Sequence, residues 1–123
     1  MAYLNDDILD AALTELDDAT HIHICSQEPA TYAEATSTYT LGNKNFGAGN
    51  CFGSIANGDS SGRKIPSVAV TDGSVTGTGT ATHWAAVDGT RLLAAGALTS
   101  SQAVTSGNTF TLSSFDVTIP DPA

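Results

Sequence analysis

The chain has 123 residues, with 13 acidic and 4 basic side chains and a formal charge of -9. That length suits a single domain over 1–123 with a core of its own. So acidic a balance argues against nucleic acid and anionic membranes as partners, since both need clustered Lys and Arg, and no apolar stretch approaches the roughly 20 residues of a membrane-spanning helix.

The first element is an amphipathic helix over 4–18, LNDDILDAALTELDD. Leu9, Leu13 and Leu16 fall at i, i+4 and i+7, with Ile8 and Ala12 beside them, so one stripe is apolar. Asn5 or Asp6 can cap its start, and acids in the first turn suit the helix dipole. The acidic N-terminus lacks the basic start and apolar centre of a secretory signal, which points to a chain made and kept in a cytoplasm.

His21 to Cys25, HIHIC, alternates as a strand does, so the histidines share one face and Ile22 and Ile24 the other. Pro29 stops that strand. Thr31 to Leu41 has room for a second short strand. Cys25 and Cys51 do not have a metal-site spacing. They read as two small buried apolar residues, with a disulfide between them as the alternative in an oxidising setting.

Residues 42–64, GNKNFGAGNCFGSIANGDSSGRK, read as a long Gly/Asn-rich loop. Three of the four basic residues, Lys44, Arg63 and Lys64, lie in it or end it. The segment before it carries eight acids (Asp6, Asp7, Asp10, Glu15, Asp17, Asp18, Glu28, Glu34) and no base. An acidic front and a mildly basic middle suit contacts between copies or docking on a charged shell.

From 65 to 119 the chain is nearly uncharged and reads as a β core. Expected strands are 66–71, 74–87, 90–98 and 108–119, the second broken or bulged near Gly77–Gly79. Asp72-Gly73, Asp88-Gly89 and Ser106-Gly107 are its turn signals. Trp84, Leu92, Leu93, Leu98, Phe110, Leu112, Phe115, Val117 and Ile119 are the core candidates. The tail Pro120-Asp121-Pro122-Ala123 cannot continue a ladder. The fold class is therefore mainly β, a sandwich or jelly-roll-like barrel behind one short N-terminal helix.

Candidate chemistry is sparse. His21 and His23 have the spacing of two metal ligands on one strand face, and His83 would have to join them for a catalytic zinc set. Gly58-Asp59-Ser60-Ser61-Gly62 only loosely resembles a serine-protease nucleophile loop and reads better as a turn. The glycines of 42–62 lack phosphate-loop spacing. These signals imply no enzyme, no catalytic residue, no bound metal and no cofactor.

The wording of the chain carries a resemblance. Ser61-Gly62-Arg63-Lys64, Asp72-Gly73 and Thr78-Gly79-Thr80-Ala81-Thr82-His83-Trp84-Ala85 resemble small structural proteins of tailed bacteriophages and prophages. So do Asp88-Gly89-Thr90, Leu92-Leu93-Ala94, Val104-Thr105-Ser106-Gly107-Asn108-Thr109-Phe110, and the earlier Ile24-Cys25-Ser26-Gln27-Glu28-Pro29 with Thr31-Tyr32. The resemblance covers most of 20–119. It implies a β-rich virion protein assembled in a host cytoplasm, capsid decoration (cement) proteins being one such class, bound to the major capsid or other virion proteins and itself a homo-oligomer. A tail, baseplate or head–tail connector component is the alternative, and a carbohydrate- or receptor-binding β module a second. The expected partner contacts are Leu9, Leu13 and Leu16 on the helix and Lys44, Phe46, Phe52, Arg63 and Lys64 around the loop, the two aromatics acting as anchors.

Overall fold

A computed structural model describes residues 4–120. The expected behaviour of the last three tail residues and of the first three residues lies outside that range. One helix, α1 (Asp6–Thr14), runs on as a 3-10 turn over Glu15–Asp18 and precedes nine strands. Asn5 caps α1 by accepting from the Asp7 N–H at 2.7 Å, and Asp6 and Asp7 occupy the first turn. The expected helix over 4–18 is thus shorter and tightens at its acidic end, where no base offsets the dipole.

The fold is mainly β, as the sequence implied, with a curled antiparallel sheet. Six strands, β1 (His21–Cys25), β2 (Thr40–Asn45), β5 (Val70–Val75), β6 (Gly79–Val87), β7 (Leu92–Val104) and β8 (Thr109–Leu112), order as β7-β6-β1-β2-β5-β8. A smaller sheet holds β3 (Ala56–Asn57), β4 (Arg63–Pro66) and β9 (Asp116–Ile119), in the order β3-β4-β9. The curl follows from connectivity. Residues 105–108 join β7 to β8, yet these strands are the two outer edges of the six-stranded sheet, so those edges come together at the turn.

One core lies between the sheets. Ile22 and Ile24 from β1, Leu41, Val70, Val75, Trp84, Ala86, Phe110 and Leu112 meet Ile65 of β4, with Val117 and Ile119 packed alongside. A second, smaller cluster, Cys25, Ala35, Ala85 and Val87, sits on the other face of β1 and β6. A single π-helical turn over Glu34–Thr38 lies beside it, with Tyr32 and Tyr39 packed against it. That turn occupies the middle of the segment expected to hold a second strand, and β2 begins only at Thr40.

Other boundaries move for physical reasons. The run 66–71 divides between β4 and β5, and 108–119 divides between β8 and β9, which belong to different sheets. Phe115, in the gap between them, turns inward onto Trp84. The strand at 90–98 extends to Val104. The break near Gly77–Gly79 is present, with the chain out of strand over 76–78. Asp72-Gly73 is not a turn. It lies inside β5, where Gly73 pairs with Phe110 and leaves the room that the Phe110 ring fills.

The expected 42–64 loop is substantially structured. Its first residues belong to β2, and β3 and β4 form a hairpin within it. Gly58-Asp59-Ser60-Ser61-Gly62 is that hairpin's turn. Gly62 has φ 71 and packs against the Ile119 carbonyl, where a side chain would collide. The rest is stitched down. The amides of Phe46 and Gly47 donate to the Thr20 carbonyl and Gly49 donates to that of Asp17, while Gly53 donates to Pro66.

Candidate functional site

The residues expected to meet a partner turn largely inward. Leu9, Leu13 and Leu16 are 2%, 1% and 6% exposed, so the helix stripe closes the chain's own core rather than facing outward. Burying each such side chain contributes roughly 1.5–3 kcal/mol, a strong reason for the helix to fold inward. Phe52 is buried and meets Phe115 edge-on at 6.2 Å, and Phe46 is half-buried against the same core. The two aromatics are corrected from surface anchors to packing residues.

The cations are likewise held within the chain. Lys44 pairs with Asp72 at 3.0 Å, and Arg63 with Asp10 at 2.8 Å. Lys64 lies between Asp59 and Asp116, at 2.7 and 3.2 Å. Arg91 contacts Asp88 at 2.7 Å and reaches Glu15 and Asp18 at 3.5 Å. The hydrogen bond from Arg63 to Asp10 and that from Arg91 to Asp88 raise the guanidinium pKa values, and the bonds to Asp59 and Asp116 raise that of Lys64. Asp88 is pulled down to about 2, chiefly by the Thr90 backbone N–H and then by Arg91. Of the basic middle only Arg63 answers the acidic front inside a single copy, through Asp10, while Arg91, from the β core, reaches Glu15 and Asp18 of that front.

The sheet register brings the histidines onto one face. His21, His23 and Cys25 oppose Val87, Ala85 and His83 in turn, and directly opposed residues of an antiparallel pair share a face. Each ring then bonds a hydroxyl: His21 Nδ1 to Thr20 at 2.7 Å, His23 Nδ1 to Thr40 at 2.8 Å, His83 Nδ1 to Thr82 at 2.9 Å. Burial, with His21 as neighbour, lowers His23 to about 4, so this imidazole is neutral near pH 7. Among the described residues no three His, Cys, Asp or Glu side chains are grouped to hold a metal ion. Cys25 and Cys51 are both free and buried, and burial raises each thiol to about 11. They belong to clusters on opposite faces of the six-stranded sheet, which rules out a bond between them without unfolding.

Trp84 is packed between neighbours. Phe115 stacks on it at 3.9 Å, Gly96 lies beneath it, and the residue is 7% exposed. It does form the floor of a cavity of about 400 Å³ in the seam where β7 and β8 diverge, with Leu98, Leu112, Phe115, Ser100 and Gln102 among the walls. No charged residue lines it.

What faces outward is different from what the sequence suggested. Among the described residues Ile8 is the most exposed large apolar residue at 57%, on α1 beside exposed Asp7 and Ala12. Helical spacing places Ile8 and Ala12 beside the Leu stripe; the structure turns both outward. β7, whose neutral wording, LLAAGALTSSQAV, is plain in the sequence, stands at one end of the six-stranded sheet, a position set by topology. No helix among the described residues is long and apolar enough to cross a membrane. Comparison with protein-family models, curated proteins and solved structures gave no match.

Proposed function

We propose that this chain is a structural protein of a bacteriophage virion, of the capsid decoration type, which adds buried area and bridges between shell subunits. It is read as a binding component rather than an enzyme, assembled in the host cytoplasm and carried on the particle. The phrase-level resemblance to small phage structural proteins suggests the class.

The observation that carries the reading is the internal engagement of the chain's reactive groups. All three histidines bond neighbouring hydroxyls, both thiols are buried, and all four cations are ion-paired. Such side chains maintain a scaffold and leave its surface to make contacts. The outward face of α1 supplies a contact of suitable character: Ile8 as an apolar anchor, flanked by Asp6, Asp7 and Glu15, all exposed. A basic site on a shell would complement it, and repetition around a shell gives avidity from modest single contacts.

The test is fractionation of particles from a phage or induced prophage encoding the chain, with heads and tails separated and the chain quantified in each by mass spectrometry. Stoichiometric recovery with heads is the expected result. Recovery with tails alone would transfer the protein to the tail or connector class, and absence from both would overturn the virion reading.

A further inference from the structure

The cavity of about 400 Å³ between β7 and β8 falls within the size range of small-molecule sites. Both of its walls leave the regular ladder. The pairs Ala81–Gln102 and His83–Ala97 set the single residue Thr82 of β6 against residues 98–101 of β7. Such a bulge re-aims side chains, and Leu98, Thr99, Ser100 and Gln102 all line the cavity. The opposite wall is Leu112–Phe115, where the chain leaves β8 on its way to the smaller sheet. Phe115 is fixed there by Ser67. Its N–H donates to the Ser67 hydroxyl at 2.9 Å, and its carbonyl accepts from the Ser67 N–H at 2.7 Å. The Gln102 side chain donates to the Thr111 carbonyl at 2.9 Å and ties the two walls together.

The lining has two chemical parts. Trp84, Leu98, Leu112 and Phe115 supply carbon and are held in place by the main core. Thr99, Ser100, Ser113 and Ser114 are exposed at the rim, and their hydroxyls bond no protein group among the described residues. The backbones of Ser113 and Ser114 lie outside any strand and bond none either.

That combination selects the occupant. No carboxylate or cation lines the cavity, so an ionised ligand would shed water there without meeting a countercharge. An alkyl ligand would cover the hydroxyls and leave them unpaired. A peptide strand needs regular ladder partners, which neither the bulge nor the 113–115 segment provides. A saccharide ring has the complementary make-up: C–H groups on its faces, and hydroxyls at its edge that both donate and accept, as those of Ser and Thr do. We propose that the cavity between β7 and the 112–115 segment binds a neutral saccharide. Its C–H groups lie against the carbon floor, and its hydroxyls bond Ser100, Ser113 and Ser114. The site is separate from the outward face of α1.

The purified full chain is titrated, without particles, with glucose, galactose, mannose, N-acetylglucosamine and their short oligomers, and with N-acetylneuraminic acid and hexan-1-ol. Emission from Trp84, the only tryptophan, and amide NMR shifts read the binding. Saturable binding of a neutral saccharide is expected, with shifts gathered on residues 97–102 and 112–115. Ser100→Ala and Ser114→Ala are at exposed positions and should keep the melting temperature. Each weakens saccharide binding about threefold to tenfold, the loss of one hydrogen bond. Ser60→Ala, in the turn between β3 and β4, leaves it unchanged.

No response to any neutral saccharide by about 10 mM overturns the proposal. So does a preference for N-acetylneuraminic acid or hexan-1-ol, or saccharide binding that both Ser100→Ala and Ser114→Ala leave intact. Since no particle enters the titrations, their outcome is separate from that of the virion reading.

Discussion

Trp84 and Gly96 oppose each other across β6 and β7, and the indole packs so closely that a Cβ at position 96 would stand 2.9 Å from three of its ring atoms. Phe115 stacks on the same indole at 3.9 Å, and Phe52 meets Phe115 edge-on. A glycine in a strand interior weakens the strand locally, but here its missing side chain makes room for the aromatic that joins β6 to the β8–β9 connection.

Gly96→Ala should therefore destabilise the fold by overpacking, by about 1–3 kcal/mol. Trp84 is the only tryptophan, so its fluorescence reports the site directly. The variant should show a shifted emission maximum and a lower urea midpoint with an unchanged slope. An unaltered midpoint would contradict the packing described.

The buried His23 gives a pH dependence with a definite sign. Its ordinary pKa of 6.5 falls to about 4 in the folded chain, so the unfolded chain binds the proton more readily. Stability is then full above about pH 6.5 and declines as pH falls toward 4, where this contribution levels off. The loss is roughly 3 kcal/mol over that window. Urea midpoints measured from pH 7 to pH 4 should show the decline, and His23→Gln should flatten it.

Leu13→Ala should cost about 2–5 kcal/mol, because Leu13 is 1% exposed in the core. Ile8→Asn, at an exposed position of the same helix, should leave stability within about 0.5 kcal/mol of wild type. On particles the order reverses. Ile8→Asn loses attachment, measured by co-sedimentation with heads that lack the chain, whereas a folded Leu13 variant retains it.

Neither thiol should react with Ellman's reagent in the native state. Cys25 and Cys51 are fully buried and raised to about 11, which leaves almost no thiolate. Unfolding in denaturant without reductant should release two reactive thiols per chain. Release of none would contradict the separation of the two clusters across the sheet.

These outcomes mark how far the sequence could be read. The alternation of HIHIC correctly gave β1 two unlike faces, and the neutral run after residue 65 correctly implied β structure, because both are local patterns. The Leu9, Leu13, Leu16 spacing correctly marked an apolar stripe but not its direction, since α1 packs against β4 and β9, which are distant in sequence. Arg63 and Lys64 looked available for the same reason: Asp10 and Asp116 are distant in sequence and adjacent in space. Asp72-Gly73 has the dipeptide of a turn, yet the glycine serves the Phe110 ring across the strand pair. The place of β7 at one end of the six-stranded sheet could not be seen before the strand order was known.

The most direct test of the account is a pair of cryo-EM reconstructions of heads, one from wild-type particles and one from particles with this gene deleted. The account predicts difference density on the outer shell that fits the two-sheet fold, with the Ile8 face of α1 against the capsid surface. Identical reconstructions, with the chain absent from the wild-type shell, would contradict it.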